Sequence, residues 1–563
     1  MALYKIEDLT FSYNNMTEPG NGDTQILKKI NLTINEGEYL VLCGKSGSGK
    51  TTFLRNLKGV LAPEGKLTGR ILFDDRPMSE VSVKEQAQRI GFVMQDPDSQ
   101  IVTDKVWHEL AFGLESLGMA EDIMRMRVAE MAGYFGIQSW FHKDVSELSG
   151  GQKQLLNLAS VLVMQPDVLI LDEPTSQLDP VAASDFLSIV RQINTDFGTT
   201  VILSEHRLDD VLKDADRVLV MSKGQVVVDD RPCSIGGKLK EMDADMFCAM
   251  PASLQIYYSV KENLRDAVNG KTYAPLTIRD SRKWLKDNVL LNNNLESNTS
   301  KEKQIYSDES IVSVKDVCFR YEKDSPDVLK NFTVDIPKGT VYTIAGGNAA
   351  GKTTALKAIA GLVKPYHGRI IINGKKLQKY KANELYKGVI SMLPQDPRLL
   401  FVRKTVELDL EEMLNGQKEE KGRMDEVIDI CGIRDILDRH PYDISGGQIQ
   451  MAALAKVLLN NPQILLLDEP SKGIDAFYKK RLGNVLRDLT EKGITVIMVT
   501  HDIEFAARYS DITAMFFDGR IVSTGTPHGL FENNRFYTTA AGKISRGILK
   551  HAVLTEEIIK SIV

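Results

Sequence analysis

The chain has 563 residues, 43% hydrophobic and 26% charged, with a net charge of -6 at pH 7. That length implies several domains, each large enough to bury a core, and the composition is ordinary for a globular protein. The mild negative charge gives no global reason to expect nucleic-acid binding, and no stretch approaches the roughly 18 uncharged apolar residues that would span a membrane.

The opening segments, Leu3–Tyr13 and Ile26–Ile34, alternate apolar and polar residues and read as an antiparallel layer. Tyr13 ends the first of them, placed either to stack on an adenine ring or to pack on its own sheet. The start MALYKIEDLTFSY has no apolar run suited to a signal peptide, so a cytoplasmic protein is expected. The five cysteines, Cys43, Cys233, Cys248, Cys318 and Cys431, show no C-x-x-C pairing and read as buried reduced thiols.

After the apolar run Tyr39–Cys43 comes GKSGSGKTT: Gly44, Lys45, Ser46, Gly47, Ser48, Gly49, Lys50, Thr51 and Thr52, followed by a helical stretch. This satisfies G-x-x-x-x-G-K-[ST] in strand–loop–helix context. Glycine and small residues let backbone N–H groups turn toward a polyphosphate at the positive end of a helix. Lys50 can reach the β- and γ-phosphates, and Thr51 can ligate Mg²⁺. A strand then ends at Gln95, and Pro97 marks the chain leaving regular structure. Asp96–Val102 combines acids with exposed-looking apolar residues, Ile101 and Val102. A helical region, Lys105–Phe141, leads into ELSGGQKQ, where Ser149, Gly150, Gly151 and Gln152 form a helix start with free N–H groups. VLILDEP reads as a buried parallel strand with Asp172 and Glu173 at its carboxyl end, where ligands collect in open α/β sheets. Asp172 would hold Mg²⁺ and Glu173 would polarise an attacking water. TTVILSEH puts His206 at the end of a further strand.

Every one of these features then occurs a second time. The phosphate loop returns as Gly346, Gly347, Asn348, Ala349, Ala350, Gly351, Lys352, Thr353 and Thr354, and the glutamine as Gln395. The helix start returns as Ser445, Gly446, Gly447 and Gln448, the acids as Asp468 and Glu469, the histidine as His501 and the strand-end aromatic as Tyr321. The spacing between copies drifts from 302 residues at the loop lysines to 295 at the histidines. Such a drift is what loop insertions produce between two homologous domains.

In this order the motifs resemble the ATP-binding domain of ABC proteins, twice over. The resemblance implies two tandem P-loop ABC ATPase domains of α/β class, each with an α/β core, an antiparallel β layer and a helical subdomain. It implies ATP and Mg²⁺ as cofactors, with Thr51, Gln95 and Asp172, and Thr353, Gln395 and Asp468, toward the metal. Glu173, Glu469, His206 and His501 take the catalytic places. It further implies a head-to-tail sandwich of the two halves within one chain, in which Ser149–Gly151 meets the nucleotide of the second loop and Ser445–Gly447 that of the first. Two positions depart from the pattern: Ala349 replaces an inner glycine, and Ile449 stands where a basic residue commonly follows the signature.

Met94–Glu115, MQDPDSQIVTDKVWHELAFGLE, resembles the ATPases of energy-coupling factor (ECF) transporters, which take up vitamins and transition-metal ions. Ala249–Leu285 is similar to the helical extension of that family. The resemblance implies a domain at 1–230, a helical extension at 231–290, a flexible linker at 291–308, a second domain at 309–530 and a helical tail at 531–563. In the tail, Ile544, Ile548, Leu549, Ile558, Ile559 and Ile562 have helix-like spacing. It also implies peripheral attachment at the cytoplasmic face of the membrane, to a transmembrane scaffold subunit and a separate substrate-binding membrane subunit. Coupling helices of the scaffold would dock on Asp96–Val102 and on Asp396–Val402, the latter through Asp396, Leu399, Leu400 and Phe401. The rival is a soluble twin-ABC protein acting on ribosomes. Between Arg231 and Ser310, twelve Lys and Arg stand against eleven Asp and Glu, whereas a segment lying along RNA should be strongly basic. No nucleic acid is expected as a partner.

Overall fold

The computed structural model describes residues 2–14, 25–260, 273–288, 309–414, 421–549 and 552–562. The linker expected at 291–308 lies outside them. The chain divides into two compact units, Met1–Leu254 and Gln255–Val563.

In the first unit, Ala2–Tyr13 pairs antiparallel with Gln25–Asn35 on one side and with Gly65–Phe73 on the other. Its apolar alternation slips once, between Ile6 and Leu9. The register shifts there, and Asp8 takes φ 46. This bulge returns the later apolar residues to the inner face, so Tyr4, Ile6, Leu9 and Phe11 are all buried. The second unit repeats the device at Asp316, with φ 51, between Val314 and Val317.

The larger sheet has the order Gln225–Asp230, Arg217–Ser222, Tyr39–Gly44, Thr200–Ser204, Val168–Asp172, Ile90–Val93. All its pairings are parallel except the first. The second unit has the matching sheet, with Ile390–Leu393, Ile464–Asp468, Thr495–Thr500 and Val341–Ala345 as its parallel core. These strands are almost wholly buried because both faces are covered. In Ile464–Asp468, Ile464 and Leu466 pack with the antiparallel layer and with Leu356 and Ile359 after the phosphate loop. Leu465 and Leu467 pack on the opposite face with Leu482, Val485 and Leu486. Each such side chain contributes about 1.5–3 kcal/mol by leaving water. The phosphate-loop helix is thereby clamped between two layers, and its N-terminus lies at the carboxyl ends of the parallel strands.

The expected helical regions resolve into Val106–Ser116 and Glu121–Tyr134 in the first unit, and Val406–Met413 and Lys421–Cys431 in the second. The two SGGQ stretches start helices Gly150–Leu162 and Gly446–Leu458. Two α/β units, each with an antiparallel layer and a helical part, are the architecture expected from the repeat.

Ala249–Leu285 contributes helices Ala252–Val260 and Ile278–Asn288, the latter begun before and ended after that stretch's limit, with Tyr257 and Trp284 rings 5.2 Å apart. Arg282 of the second helix donates to the carbonyl of Lys543 in the tail. The tail forms two short helices, Ala540–Ser545 and Thr555–Ile562, parted at Gly547, whose φ of 69 cannot continue a helix. Val553 and Leu554 seat it on Ala506, Ala507 and Phe531 of the second unit. Among the described residues no helix is long and apolar enough to cross a membrane. All five cysteines are free; Cys43, Cys318 and Cys431 are buried as expected, while Cys233 is half-buried and Cys248 exposed.

Candidate functional site

Each phosphate loop leaves a buried strand and turns through left-handed glycines into its helix. Gly49 holds φ 99 and Gly351 φ 101, each as the residue before the helix. A Cβ on Gly44 would lie 2.3 Å from the carbonyl oxygen of Met221, and one on Gly346 2.5 Å from that of Phe516. Only glycine fits where the loop passes that close to the neighbouring strand. Ala349 takes φ 57 where Gly47 takes φ 79, so the departure in sequence is absorbed without a change of loop shape.

The buried loop lysines curl back over their own loops. Lys50 Nζ donates to the carbonyls of Gly44 (2.9 Å) and Lys45 (3.3 Å), and Lys352 Nζ to those of Gly346 and Gly347 (both 2.9 Å). Each also faces the glutamate that follows the buried strand, Lys50 at 3.9 Å from Glu173 and Lys352 at 3.4 Å from Glu469. Both glutamates sit at positive φ, 47 and 50, a strained conformation of the kind that clusters at functional sites.

Around Glu173 converge His206 Nε2 at 2.8 Å and Gln95 Nε2 at 2.9 Å. Around Glu469 stand His501 Nδ1 at 2.9 Å and the His501 backbone N–H at 3.1 Å. Burial pushes both carboxyls up, but the histidine hydrogen bond and charge, with the loop lysine, outweigh it and hold them below the usual carboxylate range. The preceding aspartates go the other way. Burial, with the adjacent glutamate's charge adding to it, raises Asp172 and Asp468. Ser204 Oγ donates to Asp172 at 2.8 Å, and Thr353 Oγ1 to Asp468 at 2.9 Å. Neighbouring acids pushed apart in this way divide into an ionised base and a group that favours a cation or proton.

In the second unit these residues line a cavity of about 400 Å³, walled by Asn348, Lys352, Thr353, Gln395, Glu469, Lys472 and His501 among others. Tyr13 and Tyr321 adopt features of both readings. Each packs edge-on against a strand phenylalanine and hydrogen-bonds a loop threonine, Thr52 or Thr354, yet keeps its ring partly exposed. Ser149 and Ser445 cap their helices in reciprocal boxes with Gln152 and Gln448, and Ser445 also hydrogen-bonds the Tyr478 hydroxyl.

Two neighbours of the site, Glu205 and Lys472, and the acidic partners of the loop residue Lys45 were not singled out from the sequence. Glu205, beside His206, is buried and accepts from Thr175 Oγ1 (2.6 Å) and N–H (3.1 Å) and from the His206 N–H (3.2 Å). Lys45 pairs with Asp243 at 3.1 Å and Asp245 at 3.4 Å. Lys472 joins the cavity wall. Comparing SEH with VTH, and TSQLD with SKGID, would have flagged Glu205 and Lys472.

The segments after the glutamines depart from expectation at Ile101 and Leu400, both half-buried, and most at Phe401. Val102, Leu399 and Val402 are exposed, but Phe401 is 6% exposed. It is drawn into the core of its unit, with the Lys456 ammonium 5.7 Å from its ring centre. Asp98 pairs with Lys153 of the signature helix. Their counterparts in the second copy are Arg398 and Ile449, so both partners change together.

The ABC transporter family model matches residues 27–176 and 329–472, which contain both phosphate loops, both signatures and both Asp-Glu pairs. A protein of Bacillus cereus, provisionally named an ABC transporter ATP-binding protein, is 38% identical over 561 residues, spanning 99% of this chain and 98% of its own length. A Methanosarcina mazei protein of the same provisional name is 31% identical over 543 residues, spanning 94% of this chain and 90% of its own. Among solved structures, cbiO1 of Clostridium perfringens, described as part of the ABC transporter complex cbiONQ, is 33% identical. It covers 44% of this chain and 98% of that one, with a TM-score of 0.37. With two matched cassettes and relatives alike along the whole length, the chain belongs to the ABC transporter family, as an ATP-binding protein and ATPase with both cassettes in one polypeptide.

Proposed function

We propose that this ATPase energises an ECF-type importer of a vitamin or transition-metal ion, from the cytoplasmic face of the membrane. The observation that carries the ATPase chemistry is the convergence of Lys50, Gln95 and His206 on Glu173, repeated by Lys352 and His501 on Glu469. Lys50 and Lys352 neutralise the β- and γ-phosphates; Tyr13 and Tyr321 offer ring faces to the adenine. The signature residues Ser149–Gln152 and Ser445–Gln448 present helix N-terminal N–H groups to phosphate. A Cβ on Gly150 would meet nothing within 4 Å, which fits a glycine kept for ligand approach. Thr51, Gln95 and Asp172, like Thr353, Gln395 and Asp468, supply hydroxyl, amide and carboxylate oxygens, a hard donor set that suits Mg²⁺. When bound, Mg²⁺ spreads the charge of the transferring phosphoryl group. Glu173 and Glu469, kept ionised, orient a water and take its proton as its oxygen bonds the γ-phosphorus and ADP leaves. His206 and His501 hold that carboxylate in place.

Support for the ECF reading is the Met94–Glu115 stretch and the surface it forms. Val102 and Trp107 are exposed in the stretch that follows Asp98 in the first unit, and Leu399 and Val402 in the stretch beside Arg398 in the second. An acid beside an apolar floor suits a docking helix that carries an arginine. The second surface has the opposite charge, so the two take different helices. The test is Asp98→Arg against Arg398→Asp, scored by co-purification with membrane subunits and by uptake. Assembly or uptake is expected to fall for Asp98→Arg while ATP binding by the isolated chain survives. Wild-type assembly and transport by both variants would place the docking surface elsewhere.

A further inference from the structure

Between the two copies, several substitutions change the charge close to the site, and three of them act together. Glu205 precedes His206, where Thr500 precedes His501. Its carboxylate is fully enclosed, and each oxygen accepts a backbone N–H, from Thr175 and from His206. The first site therefore carries a third acid behind Asp172 and Glu173. Lys45 projects from the first phosphate loop, but Asp243 and Asp245 close on it at 3.1 and 3.4 Å, two carboxylates against one ammonium. Gly347, in the corresponding place of the second loop, has no side chain to recruit an acid. Finally, Lys472 lines the second cavity with Glu469 and His501, where the first copy has Ser176. These three run the same way, making the first site more negative and the second more positive; after the histidines, Arg207 against Asp502 runs the other way, with Asp502 held by Lys479 at 2.6 Å.

We infer that the two sites are unequal in their hold on a nucleoside triphosphate: the second is the tight site and the first the weak, rapidly exchanging one. This rests on the reading that both loops bind ATP. A triphosphate carries several negative charges, and its attraction to a partly buried charge a few ångströms away is far stronger than in bulk water. One added or removed charge is expected to shift affinity by about tenfold. Burial pushes the Glu205 carboxyl up and so lessens its charge, but what remains acts with little screening, whereas the part-exposed Lys472 and the Lys45 cluster weaken with salt.

The experiment titrates the full-length chain with a fluorescent ATP analogue after disabling one loop at a time. Lys50→Ala leaves the second site and Lys352→Ala the first. The second site is expected to bind about tenfold tighter or more, with the gap narrowing but not closing as salt rises. Adding Glu205→Gln to the Lys352→Ala chain should tighten the first site. Adding Lys472→Ser to the Lys50→Ala chain should loosen the second, and this part-exposed position keeps the test open should the buried variant unfold. Equal affinities, unmoved by Lys472→Ser, would overturn the inference while leaving ATP binding intact. A wild-type chain that binds no analogue at all would instead overturn the nucleotide reading, and the inference with it.

Discussion

Ala349 shows how a single residue can depart from a motif without changing its shape. It holds φ 57 in the left-handed region, where a side chain costs about 1–2 kcal/mol. A Cβ at Gly47, the same place in the first loop, would meet nothing within 4 Å, so the cost lies in the backbone and not in crowding. Ala349→Gly is expected to stabilise the second unit by up to about 1 kcal/mol, part of the relief being lost to the greater freedom of glycine in the unfolded chain. A thermal melt checks this, and a lowered midpoint would contradict it. The residues legible in the sequence were those whose chemistry is tied to a fixed order: Lys50, Asp172, Glu173 and His206, with their second copies. Glu205 and Lys472 are ordinary residue types whose position gains meaning only beside the other copy. The pairing of Lys45 with Asp243 joins positions 198 residues apart, which no local pattern encodes.

Among the elements, strands and the clamped phosphate-loop helices were readable because apolar alternation and continuous apolar runs report directly on burial. The bulges at Asp8 and Asp316 interrupt that alternation and are visible only once the partner strands are in register. Phe401 was misread as exposed because it lies among exposed Leu399 and Val402. What draws it inward is Lys456, buried, which donates to Asp409 Oδ1 at 2.7 Å and to the Leu400 carbonyl at 2.6 Å. Asp409 in turn accepts the N–H groups of Val402 and Arg403, so one buried pair ties the segment after Gln395 to two helices. The first unit builds the same clasp with Glu109 on Val102 and Thr103, and has Ser160 in place of the lysine. Removing one partner of a buried pair strands the other. Lys456→Ala is accordingly expected to cost about 3–5 kcal/mol in the second unit, read as a lower denaturant midpoint. A loss no greater than that of a surface lysine would show that Asp409 is satisfied without it.

For the whole molecule, the repeat was the strongest signal. Motifs recurring in one order at a spacing of 295 to 302 residues required two copies of one fold, and each unit has the layered α/β architecture that the motifs demand. The helical extension and tail were less legible. Their apolar spacing suited a helix, but Gly547 parts the tail into two, and Arg282 and Lys543 meet only in the folded chain. The central claim is that both cassettes are catalytic sites whose water-orienting groups are Glu173 and Glu469. The measurement that tests it most directly is ATP turnover alongside ATP binding in the Glu173→Gln, Glu469→Gln double variant. The amide keeps the shape and removes the base, so turnover is expected to fall by about 10²–10⁴-fold while bound ATP is retained. Turnover at the wild-type rate would contradict the assignment.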